Sequence, residues 1–309
     1  MRTILTFVII IIIGCANRKT ESGIQTQTDL EKYDELKWSA MLNFKNKEYE
    51  NSLSNFQDAF KIKSNESVSD YFYASASALN LKMDKVAKDL IITAIQQTNA
   101  SENYFDSFEE FNPFRAKELF SEIKTDYAKY QADFFDNLKN PEIYKEIELL
   151  IEKDQAVRKD GSSGEEMQGV DSLNIKRLIE INKKYGWQEK QWLLLWHHRR
   201  IHRDSNYVWN YFRPFINDKI EKGELRKDFW ARFDDEKSMF SEDKVQIYGT
   251  YWNNYDQFPI GNIKEVDSLR NSVGLPSLAY MRKVYDVVLP KDYVEKLPLT
   301  TYIKNSASR

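Results

Sequence analysis

Six positions of the segment 36–59 recur 35 residues further on. Leu36, Ala40, Phe44, Ser52, Phe56 and Ala59 correspond to Tyr71, Ser75, Leu79, Ala87, Ile91 and Ala94. Small residues alternate with bulky ones at helical spacing, so each unit reads as two helices that cross closely at Ala or Ser and fill the flanks with rings and aliphatic chains. A unit of this length cannot bury its apolar face alone and folds only by stacking on a neighbour. That restricts the first third of the chain to stacked helix pairs.

The period and the small-to-large pattern resemble the tetratricopeptide repeat, a helix–turn–helix unit. The resemblance covers residues 33–100 and supplies two units. Residues 101–140 carry a dense aromatic load, including Tyr104, Phe105, Phe108, Phe111, Phe114 and Phe120. This segment is expected to close the open end of the repeats, with Asn112-Pro113 starting a new helix because Pro suits a first turn.

Ahead of the repeats, Met1 and Arg2 precede the uncharged run Ile4–Ile13, which ends in Ile12-Ile13-Gly14-Cys15. The run is too short to span a bilayer as a helix, which takes about 20 residues, and it suits the apolar region of a signal peptide. The final four residues resemble a lipobox. The expectation is a signal peptide over 1–14, cleavage before Cys15, lipid on that thiol, and a flexible tether over 15–32. The implied partner is the lipid bilayer, reached through acylated Cys15. Ala16 stands where inner-membrane retention favours Asp, so the expected location is the outer membrane of a Gram-negative cell envelope.

Cys15 is the only cysteine of 309 residues, which leaves the folded part without a disulfide, a thiolate metal site or a cysteine nucleophile. Aromatic residues make up 14% of the chain and supply enough apolar area for a sizeable core despite 30% charged residues. The net charge is −3 with both signs interleaved, and no basic tract of the kind that grips a phosphate backbone is present, so nucleic acid is excluded as an expected partner.

Residues 141–309 read as a second, helical domain. Helices are expected over about 141–159, 171–185 (capped by Asp171 and stopped by Gly186) and 189–203, with 159–169 as a loop. Val245–Trp252 has strand composition and is expected to turn at Tyr255-Asp256-Gln257 into Phe258-Pro259-Ile260 as a short hairpin. The whole chain is therefore expected to be mainly α: helical repeats followed by a helical domain with one hairpin.

Asp154-Gln155-Ala156-Val157-Arg158 opens a series continued by Val170-Asp171, Asn174, Tyr185-Gly186-Trp187, histidine at 197–198, Gln246-Ile247-Tyr248-Gly249-Thr250, Pro259-Ile260, Val266-Asp267, Arg270 and Val273-Gly274-Leu275-Pro276. In this order the motifs resemble bacterial domain-of-unknown-function family 6624 over about residues 141–285. The resemblance implies a domain that often follows tetratricopeptide-like repeats in exported proteins, and no established activity. Gln188, Tyr251 and the pair Asp235-Glu236 depart from the family pattern, which puts any site using those positions in doubt.

The candidate polar site comprises Asp154, Arg158, His198, His202, Gln246, Tyr248 and Thr250. Asp154 and Arg158 lie four apart on one helix face, acid first, and admit three readings: a buried structural network, a surface ion pair, or a functional site. His198 and His202 also lie four apart and share a face with Leu194, Leu195 and Ile201. They read as structural histidines, as an anion or polar-substrate site, or as a zinc pair. The surrounding Arg199, Arg200 and Arg203 oppose a cation and favour an anion, so no metal or other cofactor is expected. Gly249 would allow a bend or a close ligand approach between Gln246, Tyr248 and Thr250. Asp154, Arg158 and His198 are expected to meet, with Gln246 and Tyr248 close by. No complete catalytic motif is present. The expected function is a membrane-tethered module that binds an envelope protein or peptide. The alternative is an envelope hydrolase or transferase that acts on an anionic substrate through Asp154, Arg158 and His198.

Overall fold

The computed structural model describes residues 27–295 except 160, 189 and 253. The expected signal peptide, Cys15 and most of the tether lie outside the described residues. The chain is mainly helical. Helix α1 (Asp29–Lys45) takes in the last four residues of the expected tether, because Thr28 and Glu31 form a reciprocal capping box. Helices α2 (Tyr49–Ile62), α3 (Val68–Asn80) and α4 (Asp84–Thr98) follow. Three-residue connections return α2 along α1 and α4 along α3.

The two connections are built alike. Lys47 and Lys82, 35 residues apart, both take positive φ, 64° and 61°. Glu48 N–H donates to Asn43 O at 2.8 Å, and Met83 N–H donates to Ala78 O at 2.9 Å. Lys47 N–H and Lys82 N–H each donate to the carbonyl three residues back, on Phe44 and Leu79. This is how a helix ends on a left-handed residue, and here it is repeated at the sequence period. Ala40, Ala59, Ala87 and Ala94 are all fully buried, as the small-to-large pattern requires.

Helices α5 (Glu102–Ser107), α6 (Glu118–Thr125) and α7 (Tyr127–Asn137) close this core. Asn112-Pro113 does not start a helix there; it lies inside a 3-10 turn, Glu109–Phe114, which brings Phe111 against Phe72, Phe105 and Phe108.

The second core is formed by α8 (Pro141–Lys159), α9 (Gly164–Tyr185), α10 (Trp192–Trp196) and α11 (Tyr207–Glu221), joined by Phe233 of α12 (Ala231–Met239). Helix α9 starts seven residues earlier than expected. Ser163 and Glu166 form a second capping box, which turns most of the expected loop into helix and leaves Asp171 within it. The expected helix 189–203 is instead the short α10 followed by a 3-10 turn, Arg199–Ile201.

The remaining helices are α13 (Val266–Ser272) and α14 (Leu278–Tyr285). Helix α14 returns to the first core, where Tyr280, Met281 and Val284 are buried. The expected boundary at residue 140 therefore separates segments of sequence and not closed cores. Arg226, after α11, ties the halves together: it donates to both carboxylate oxygens of Asp34, at 2.8 and 3.1 Å, and lies 2.6 Å from Glu66.

The expected hairpin is not formed. The described residues hold one isolated bridge between Gln246 and Ile260, and it runs parallel. The N–H groups of Ile247, Tyr248 and Thr250 are taken by a side chain, as described below, so no partner strand can use them. Among the described residues no helix is long and apolar enough to cross a membrane.

Candidate functional site

Asp154 continues the buried face of α8 and is 1% exposed. Its Oδ1 accepts from Arg158 at 3.0 Å, and its Oδ2 accepts from Gln155 at 2.6 Å and lies 2.9 Å from His197 Nε2. Arg158 also donates to Asp171 Oδ1 at 2.7 Å, which joins α8 to α9. Burial pushes the Asp154 carboxyl up, but the His197, Gln155 and Arg158 contacts outweigh it and hold it below its ordinary value.

The histidine that hydrogen-bonds to Asp154 is thus His197, and His198 stands near the same pair without bonding to it, since the charges of Asp154 and Arg158 both act on its ring. Helix α10 ends at Trp196, and the tighter turn that follows changes which ring faces α8. His198 is half-buried, and its Nε2 has no hydrogen-bond partner among the described residues. Burial pushes its imidazole below the ordinary value; Asp171 pulls the other way, and His197 and Arg158 add to the lowering.

His202 belongs to a different cluster and is 1% exposed. Its Nε2 lies 2.8 Å from Asp234 Oδ1 and its Nδ1 lies 2.7 Å from the Arg199 carbonyl. Both ring nitrogens are occupied within the protein, and the break in the helix removes the shared face on which a zinc pair of His198 and His202 depended. No group of three or more His, Cys, Asp or Glu side chains that could hold a metal ion occurs among the described residues.

Gln246, Tyr248 and Thr250 lie in a third place, organised by α12. Asp235 is fully buried and accepts four hydrogen bonds: from the N–H groups of Ile247 at 2.6 Å, Tyr248 at 2.8 Å and Thr250 at 2.8 Å, and from the Thr250 hydroxyl at 2.8 Å. Burial pushes this carboxyl up, and the four donors pull against it. Gln246, also fully buried, donates to the Phe258 carbonyl at 2.9 Å and accepts from Tyr251 N–H at 2.9 Å. Arg270 donates to the Tyr248 carbonyl at 2.7 Å. Gly249 has φ +67°, and a Cβ there would lie 2.6 Å from Ile260 Cδ1, so glycine is demanded both by the backbone and by the space.

Successive helical residues point about 100° apart, and the three acids of α12 accordingly hold different partners. Asp234 takes His202 and Arg203, Asp235 takes the 247–250 loop, and Glu236 takes Arg199 at 2.8 Å, Arg200 at 3.1 Å and the Tyr251 hydroxyl at 2.6 Å. Sequence reasoning did not select Asp234, Asp235 or Glu236 as site residues; it noted Asp235-Glu236 only as a departure from the family pattern. The signal available was a run of acids paired with an equally dense run of cations at 197–203.

The structure therefore brings Asp154 and Arg158 together, adds His197 as the bonded histidine with His198 nearby, and places His202 and the Gln246–Thr250 loop on acids of α12. Compared with family models, curated proteins and solved structures, the chain matches none of them. The reading of function rests on these clusters and on the surfaces that they shape.

Proposed function

We propose that this chain is a lipid-tethered helical module of the cell envelope that binds a protein or peptide partner. In this reading Cys15 carries the lipid, the outer membrane of a Gram-negative cell is the site, the two helix pairs are tetratricopeptide-like, and residues 141–285 belong to the family that their motifs resemble. The observation that carries the binding reading is the state of Asp154. A general acid or base needs an exposed atom within reach of substrate, whereas this carboxylate is 1% exposed and both its oxygens are engaged inside the protein. Asp235 and His202 are committed in the same way. The rival reading, catalysis through Asp154, Arg158 and His198, gains no support from a His198 that makes no hydrogen bond to Asp154.

The anchor is tested by radiolabelled palmitate in a Gram-negative host. The intact chain should take up label and fractionate with the outer membrane, and Cys15→Ser should remove the label and release or strand the protein. Unchanged mass and fractionation in the variant would overturn the anchor.

A further inference from the structure

Arginine is the residue to follow across this surface. Arg158, Arg177, Arg199, Arg200, Arg203, Arg226 and Arg282 each pair with a carboxylate. Arg115, Arg213 and Arg270 donate to carbonyl oxygens. Arg232, in the first turn of α12, is the exception among the described residues. It is exposed, its guanidinium lies 5.1 Å from the ring centroids of both Trp196 and Tyr251, and it shares a hydrogen bond with the Tyr251 side chain, with no carboxylate or carbonyl partner among the described residues. Two rings hold the plane, and a guanidinium carries five N–H donors, so the bond to Tyr251 leaves donors for a contact to a carboxylate.

Arg232 lines a cleft of about 430 Å³ together with Asp228, Tyr251, Trp252, Asn254 and Leu275. The volume suits a small-molecule or short-peptide terminus. Trp252 is 38% exposed and stacks on Tyr285, with interplanar angle 9° and centroids 6.5 Å apart, so its ring is braced. With Leu275 it offers an apolar surface beside the cation, while the Asn254 amide offers both a donor and an acceptor for a peptide group. The clamp of Asp235 on the 247–250 loop sets where this wall stands.

We propose that this cleft captures the C-terminal carboxylate of a peptide, with Arg232 on the carboxylate, Asn254 on the last peptide group and Trp252 against an apolar final side chain. The inference rests on the binding reading above and names its ligand. Charge complementarity selects the occupant: an apolar wall alone would accept many ligands, and an exposed arginine with donors left over beside it selects an anionic end. Asp228 faces the same cleft, and burial pushes its carboxyl up to about 6, against the pull of nearby Arg226 and Lys37 and with Asp34 adding to the rise. Ionised Asp228 repels a second carboxylate, so capture should strengthen as pH falls through about 6.

Calorimetric titration of the full chain in detergent with N-acetyl-alanyl-phenylalanine, its C-terminal amide and glucuronate decides the matter. The free acid should bind at least tenfold tighter than the amide. Arg232→Gln should erase that preference, and Asn254→Asp, which leaves the Arg232 stacking intact, should weaken the acid selectively. Asp228→Asn should remove the strengthening toward acid pH. Equal binding of acid and amide, or a preference retained in Arg232→Gln, would overturn this site while leaving the peptide-binding reading in place. Binding of glucuronate in place of either peptide would overturn both, and no binding of any ligand at millimolar concentration would overturn the site.

Discussion

The first four helices and the segment 231–276 solve the same problem by different physics. In α1–α4 the backbone satisfies itself, and what remains is to fit surfaces: Ala40, Ala59, Ala87 and Ala94 are fully buried, as are the bulky Phe56, Phe72 and Ile91. In 231–276 regular structure is scarce, so side chains must meet backbone groups that neither helix nor sheet satisfies. Asp235 holds three N–H groups, Gln246 holds atoms of Tyr251 and Phe258, and Arg270 holds carbonyls of Tyr248 and Pro276. Packing tolerates small errors by relaxing, whereas a buried clamp fails when one partner is lost, because the orphaned groups stay desolvated.

The largest expected effect tests the clamp. Asp235→Ala should cost about 3–5 kcal/mol, since it removes the acceptor for four buried donors. Thermal or urea unfolding measures it, and a cost below about 1 kcal/mol would show that water or a shifted loop replaces the carboxylate. The packing side of the comparison is tested by Ala59→Trp, which should cost about 1–3 kcal/mol or more by forcing α1 and α2 apart. An unchanged melting point would mean that the helix pair yields without strain.

Acid should separate the two regions with a smaller effect. Asp154, Asp234 and Glu236 are held below their ordinary values by His197, His202, Arg203, Tyr251 and Arg199, although burial pulls each upward. A carboxyl lowered in the folded state contributes stability above its unfolded pKa and loses it as pH falls through the folded one. Hydrogen exchange followed downward from about pH 4 should therefore show protection lost in the 199–203 turn, held by Asp234 and Glu236, before it is lost in α3. Asp70 in α3 and Asp235 in α12 are raised by burial and contribute with the opposite sign, because their folded forms take up a proton earlier, whereas Asp34 and Glu66 beside Arg226 are lowered like Asp154. Simultaneous loss in both regions would mean that they unfold as one unit, coupled through Arg226.

How much of this was legible follows from how far each interaction reaches along the chain. The buried alanines could be read because helical period and residue size are local properties. The start of α1 at Thr28 and of α9 at Ser163 was equally local, carried by Thr-x-x-Glu and Ser-x-x-Glu, and was hidden only by the polar composition around each box. The identity of Asp154's partner was not legible. It depends on where α10 gives way to a tighter turn, and a shift of one residue there exchanges His198 for His197. The hairpin failed for a related reason. Val245–Trp252 has strand composition, but composition says nothing of a carboxylate ten or more residues away that takes the N–H groups first.

By itself, then, the sequence determined the helix pairs, their 35-residue period, the alanine crossings and the meeting of Asp154 with Arg158, because all of these arise between residues a few turns apart on predictable helices. Only the tertiary structure decided the three-way division of the acids of α12, the capture of the 247–250 loop, the return of α14 to the first core and the seat of Arg232 between Trp196 and Tyr251. Each of these is a choice among several chemically equivalent partners distant in sequence, and only the three-dimensional packing of the helices says which of them stand within reach.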